Sequence, residues 1–430
     1  MPIIHEETHL SRIKNVTVTP IAFRDPPLLN AGGLHEPWAL RSVIEMVLDD
    51  GTIGLSETYG DDPTVKLLAE CGNALAGIDV FDINAMQAQV RDTLARLSPP
   101  TADGSPRTAL VTMLPRVFGA LEVAAFDAMG HVVGRPVYDL LGGACRRDVP
   151  FSAYLFYKFA GHKDFDDGWN DPWGNVQTPE EMLREAREMT GRYGFGSLKL
   201  KAGVFDPALE VETSKALHAA FPQMPLRIDP NAAWTVETTL KLLPQLEGIL
   251  EYLEDPTPTI SGMASVQNKT KLPLATNMCT VAFEHMPETI AKGAVKVILA
   301  DHHFWGGLRA TVELAAMCRT WDIGLSMHSN SHLGISLTAM AHLAAATPNL
   351  SYACDTHYPW ANDDVIEGGL IQFHDGCVRV TDKPGFGVTL DRGALARMHE
   401  NWKKCGLRKR DDVTEMRKYW PDWNPKRPRW

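Results

Sequence analysis

Six polar residues, Lys201, Asp229, Glu254, Asn277, Asp301 and His328, follow one another at intervals of 28, 25, 23, 24 and 27 residues. Each lies at or beside the end of a short apolar run: SLKLK, LRID, LEYLED, LATN, VKVILAD and GLSMHS. An interval of that length holds one strand, one helix and two loops. With FSAYLFY (151–157) before them and LSYACD, ending at Asp355, after them, the runs predict about eight β–α units and a parallel (β/α) barrel. In such a barrel all strands run the same way, so their carboxyl ends meet at one face, where active sites are built. Residues remote in sequence are thereby expected to converge on one pocket.

The chain before about residue 145 has a different rhythm. VTVTPIAF and RSVIEMVLDD read as strands, the DDG at 49–51 reads as a hairpin turn, and RVFGALEVAAFDAMGHVVG reads as a long helix. This predicts a strand-then-helix α+β module packed on the barrel. With 430 residues and 44% apolar content there is material for one large core and a smaller one. The formal net charge of −11 disfavours a nucleic-acid or anionic-membrane partner, both of which reward a basic face. The opening MPIIHEETHLSRIKN has no apolar core of a signal peptide, and no run approaches a membrane span. Seven cysteines without a C-x-x-C pair are expected to be free thiols serving packing, in a soluble protein of the cytoplasm.

The strand-end residues form a chemically coherent set. Asp229, Glu254 and Asn277 offer oxygen ligands from three consecutive strands, which suits a hard cation such as Mg²⁺ and not zinc. Lys199 and Lys201 are two apart on one strand and point the same way, beside the first ligand. Their mutual repulsion and that of a dication are expected to lower a lysine pKa until one lysine serves as a neutral base. Opposite them, Asp301 is placed to orient His328 as a second acid/base. A base on either side of a cation suits removal of a proton α to a carboxylate, whose enediolate needs electrostatic help.

The segments SLKLKAGV, RIDPNAAW, LEDP, LATNM, ADHHFWGGL, MHSNSHLGISL and CDTHYPW resemble, in order, those of the glucarate dehydratase family of the enolase superfamily, whose wider group is mandelate racemase-like. The resemblance implies a modified (β/α)7β TIM barrel (146–375), an N-terminal α+β capping domain (1–145) and a C-terminal segment (376–430) packing with the cap. It implies a Mg²⁺-dependent hydro-lyase acting on a small dianionic sugar acid, D-glucarate and L-idarate foremost, with catalytic Lys201, His328, Asp301 and Lys199. It further implies substrate contacts from Asn30, His35, Tyr154, Lys199, Asn231, Asn330, His357 and Arg410, and a homo-oligomer is expected. Asp103 stands where the family has a threonine contact and Ala202 where it has glycine. Another aldarate such as galactarate, or a catalytically weak paralogue, remains an open alternative.

Overall fold

The alternating residues of the first module form three strands, β1 (Ile13–Arg24), β2 (Trp38–Leu48) and β3 (Ile53–Tyr59), hydrogen-bonded in that order and antiparallel throughout. The expected turn at DDG closes the β2–β3 hairpin, with Gly51 at φ +88° and Asp50 Oδ1 accepting from Thr52 N at 2.9 Å. The computed structural model describes residues 11–97, 107–165 and 174–430; Asp103 lies outside them. Three helices, α1 (Asp62–Asn73), α2 (Ile83–Leu97) and α3 (Arg107–Val133), pack beside this sheet. Gly119 on α3 lets that helix approach the barrel closely, since a Cβ there would lie 2.6 Å from Gly307 N. One turn later Glu122 accepts from Leu308 N at 2.7 Å and Arg309 N at 3.0 Å, a carboxylate from one module capping a helix of the other.

The second module is the predicted barrel. Seven strands are hydrogen-bonded in chain order and all parallel: β4 (Ala153–Phe156), β5 (Leu198–Lys201), β6 (Leu226–Asp229), β7 (Tyr252–Glu254), β8 (Leu274–Thr276), β9 (Val297–Ala300) and β10 (Gly324–Met327). The eighth run, LSYACD, closes the ring by single bridges, Leu350 to Leu325 on one side and Cys354 to Phe151 on the other. It is followed by a short 3₁₀ turn, Tyr358–Trp360, and by no barrel helix, so seven β–α units and a last extended segment replace the eight counted from sequence. The helix after β10, Gly334–Ala346, is buried on every side because it lies between barrel and cap.

The C-terminal segment returns to the cap. Helix Arg392–Cys405, capped by Asp391 Oδ1 accepting from Ala394 N at 2.9 Å, lies against β1. Beyond it Asp412–Arg417 packs on the loop at Gly33–Leu34, and Arg429 N donates to Ala233 O at 2.7 Å in the loop after β6. All seven cysteines are free thiols, but only Cys71, Cys318 and Cys354 are buried; Cys145 is exposed, which corrects the expectation that each serves packing. No helix among the described residues is long and apolar enough to cross a membrane.

Candidate active site

Alternation along β5 turns both lysines inward, and both are buried. Each has its own carboxylate. Lys201 Nζ lies 2.6 Å from Asp229 Oδ2, and Lys199 Nζ lies 2.5 Å from Asp355 Oδ2 and 2.6 Å from Glu254 Oε2. Both ammonium groups sit over the Tyr154 ring, at 4.7 Å and 6.0 Å from its centroid. Burial by itself would lower both lysine pKa values, but the adjacent carboxylates outweigh it and hold both above the ordinary value. Opposite charges at contact distance thus dominate the repulsion between the lysines, so the expected lowering rests on the dication and not on the lysine pair. Lowering Lys201 requires that Asp229 be matched by some other cation.

The candidate metal ligands fall where the spacing put them. Asp229 and Glu254 end β6 and β7, and Asn277 directly follows β8. A further carboxylate, Asp255, accepts from Thr276 Oγ1 at 2.6 Å and from Asn277 N at 2.7 Å, fixing the loop that carries Asn277. Asp229, Glu254, Asp255 and Asp355 thus share two ammonium groups, Lys199 and Lys201; Arg227 Nη1 also lies 3.9 Å from Asp355 Oδ1, but its charge is matched by Glu251 at 2.7 Å. Burial, together with Asp229 and Asp355, pushes Glu254 well above the usual carboxylate range, and Asp255 is pushed up to about 7 by burial and Asp229. When all four are ionised the surplus equals the charge of one hard dication, and every donor is oxygen except as Asn277 stands. Its Nδ2 donates to Glu254 Oε1 at 2.7 Å, and a half-turn of the amide presents Oδ1 in its place. The residues present fit a Mg²⁺-type ion.

Across the mouth, Asp301 and His328 directly follow β9 and β10, and His328 Nδ1 lies 2.9 Å from Asp301 Oδ2. Asp301 is fully buried, yet His303 and His328 hold its carboxyl well below the usual range. His328 is therefore oriented by a carboxylate, with Nε2 left for the cavity.

One cavity of about 150 Å³ is lined by Asn30, His35, Tyr154, Phe156, Lys201, Asn231, His328, Ser329, Asn330, His357 and Arg410. It gathers seven of the eight contacts implied by resemblance, from the cap, the barrel and the C-terminal segment. The exception is Lys199, which is not among the lining residues and lies against Tyr154 with its ammonium paired to Glu254 and Asp355. His35 Nδ1 is 2.9 Å from Asp25 Oδ2, and the rings of His35 and His357 stack at 5.9 Å. Burial holds His357 well below its ordinary pKa, and its buried Nδ1 has no hydrogen-bond partner among the described residues. Arg410 donates through Nε and Nη2 to Asp412, both at 2.6 Å, and Asp412 also accepts from Asn30 Nδ2 at 2.9 Å. Asn231 is held in the left-handed region at φ +54°, and Arg427 Nη1 donates to its Oδ1 at 3.1 Å.

Sequence reasoning missed Asp355, Asp255, Asp412 and Arg427. Asp355 was within reach, since it ends the eighth run as the candidate metal residues end theirs; Asp255 and Arg427 sit on loops and Asp412 opens the short helix Asp412–Arg417, outside the period of the barrel. The alanine at 202 brings no strain, because the left-handed turn falls on Gly203 at φ +79°, where a Cβ would lie 2.1 Å from Pro230 O.

The fold and the strand-end constellation agree with what similarity gives. The profile of the enolase C-terminal domain-like family matches residues 181–394. A Streptomyces coelicolor protein named probable glucarate dehydratase is 48% identical over 427 residues, covering 97% of this chain and 99% of that protein. Among solved structures, an enolase from Pseudomonas fluorescens Pf0-1 with bound magnesium, potassium and tartrate has a TM-score of 0.93 and 49% identity, covering 97% of this chain and 99% of its own. An enolase from Mycobacterium smegmatis complexed with tartrate has a TM-score of 0.93 and 51% identity, covering 98% and 99%. The chain belongs to the enolase superfamily, among the relatives of glucarate dehydratase.

Proposed function

We propose that this enzyme is an acid-sugar dehydratase that converts D-glucarate, and its C5 epimer L-idarate, to 5-dehydro-4-deoxy-D-glucarate. The observation that carries the proposal is the pair of proton-transfer groups, Lys201 and His328, on two sides of one cavity beside an oxygen-rich carboxylate cluster. A binding protein needs neither base. The tartrate bound by the two neighbours, a hydroxylated dicarboxylate, supports a diacid in this cavity.

In this reading Asp229, Glu254 and Asn277 hold a magnesium ion, which supplies positive charge beside the substrate carboxylate when bound. Asn30, His35, Asn231, Asn330, His357 and Arg410 orient the chain of hydroxyls, with Arg410 at the far carboxylate. His328 takes the proton from C5 of D-glucarate, its cationic form stabilised by Asp301. The electron pair left on C5 forms the C4–C5 double bond as the C4 hydroxyl departs, and His328 returns the proton to that hydroxyl, so water leaves. The resulting enol tautomerises to the keto product. Lys201 takes the C5 proton of L-idarate from the opposite face, once Asp229 no longer holds its ammonium, and His328 then gives its proton to the departing hydroxyl.

The test is a screen of purified protein with Mg²⁺ against acid sugars, scoring 2-keto-3-deoxy product, followed by two variants. His328→Asn is expected to lose dehydration but still exchange the L-idarate α-proton with deuterated solvent, whereas Lys201→Met loses that exchange. Loss of a general base costs about 10²–10⁴-fold. A Lys201→Met enzyme that exchanges like wild type overturns the two-base reading, and turnover of galactarate alone overturns the substrate.

A further inference from the structure

The carboxylate of Asp301 serves more than His328. Its Oδ1 accepts from the His303 backbone N–H at 2.9 Å and is 2.6 Å from His303 Nδ1, which leaves Oδ2 to His328. The other ring nitrogen of His303, Nε2, lies 3.0 Å from Arg41 Nη2 and 2.8 Å from Ser336 Oγ. A guanidinium nitrogen has only protons to give, so Nε2 accepts and the ring proton sits on Nδ1, facing Asp301. Arg41 belongs to β2 of the cap. Its Nε donates to Glu57 Oε1 at 2.9 Å, and Glu57 on β3 accepts from Leu333 N at 2.9 Å and Ser336 N at 3.1 Å on the barrel. Arg41, Glu57 and His303 are all buried, at 1%, 1% and 3% exposure, so water does not substitute for any link.

Asp301, His302 and His303 bring ligand-type atoms within 4.8 Å of one another, which raises the question of a second cation. Both oxygens of Asp301 are taken by imidazole groups, and Arg41 directs a guanidinium at His303 Nε2, so the cluster faces positive charge rather than a vacancy for it. Its geometry is that of an orienting chain.

We propose that His303 and Arg41 are positioning residues for the His328 face of the reaction: Arg41, anchored in the cap by Glu57, fixes the tautomer of His303, and His303 fixes the Asp301 carboxylate so that Oδ2 alone is presented to His328. The proposal rests on the two-base reading above. It also makes the two faces unequal. The lysine face is built wholly from barrel strands, through Lys201 and Asp229, whereas the histidine face is completed by the cap.

Three variants test this: His303→Leu, His303→Asn, whose amide N–H replaces Nδ1–H, and Arg41→Lys, which keeps a cation for Glu57 but loses the fork. For each, dehydration kinetics on the best aldarate are compared with Lys201-dependent exchange of the L-idarate α-proton in deuterated solvent. His303→Leu is expected to lower kcat about 10–100-fold, as when a partner that orients a functional histidine is removed, with KM little changed. Lysine-face exchange stays at the wild-type rate. His303→Asn restores most of the loss, and Arg41→Lys falls between. Equal loss on both faces would mean general damage to the site, and an undiminished histidine face would make His303 mere packing; either overturns the proposal. A wild-type enzyme without lysine-face exchange would sink the two-base reading instead, while the kcat loss and its rescue by asparagine would still decide the role of His303.

Discussion

Asp355 was the partner that sequence passed over, and its replacement gives a sharp test of how the lysine pair is held. Asp355→Asn keeps the shape of the side chain and removes one of two carboxylates from Lys199, whose buried Nζ then keeps only Glu254 at 2.6 Å. Stripping a buried charge of its partner costs about 3–5 kcal/mol. One carboxylate remains, so a loss at or below the lower end, about 1–3 kcal/mol, is expected. A kilocalorie lowers Tm by about 2–4 °C in mid-sized domains and by less in a chain this long, which puts the fall on the order of 5 °C. The variant should also respond less to magnesium. Saturation at about 100 times Kd stabilises a folded protein by about 2.7 kcal/mol, but in Asp355→Asn the cluster carries one negative charge fewer and binds a dication more weakly. Thermal melts of wild type and variant, each with and without Mg²⁺, read both effects. If Asp355→Asn melts like wild type under both conditions, Lys199 is held by Glu254 alone and the charge count across the cluster is wrong.

Two further outcomes follow from the same structure. Arg410 is half exposed and already bidentate to Asp412, so Arg410→Gln should leave the fold intact and raise KM for a diacid about 10-fold or more, the weight of a charged hydrogen bond; unchanged steady-state kinetics would remove the C-terminal segment from the site. Burial lowers the His342 pKa to about 4, between the rings of Tyr138 and Phe386. Its folded value is below the unfolded one, so its contribution to stability is present above about 6.5 and lost as pH falls toward 4, a change on the order of 3 kcal/mol. Urea midpoints across that range should decline less steeply for His342→Phe than for wild type, and parallel curves would refute the assignment.

The spacing of Lys201, Asp229, Glu254, Asn277, Asp301 and His328 was enough to predict a parallel barrel and to place six side chains at one rim, because a strand–helix repeat has a nearly fixed length and all carboxyl ends share one face. Alternation in LKLK likewise told that both lysines leave the strand on the same face; that this face is buried came from the structure. Periodicity says where a side chain starts and which way it leaves the backbone, and nothing about what crosses from another module to meet it. That the lysines are paired with Asp229, Glu254 and Asp355, and so held above rather than below their ordinary pKa, depends on contacts between strands up to 156 residues apart. Lys199 looked identical to Lys201 in sequence, yet Lys199 packs nearer the Tyr154 ring between Glu254 and Asp355, whereas Lys201 lines the cavity. The approach of Arg41 to His303, across 262 residues and two modules, has no period to announce it. Local pattern determined the scaffold and the inventory of the rim; packing of cap on barrel decided which charges meet, because electrostatic partners are chosen by distance in space and not along the chain.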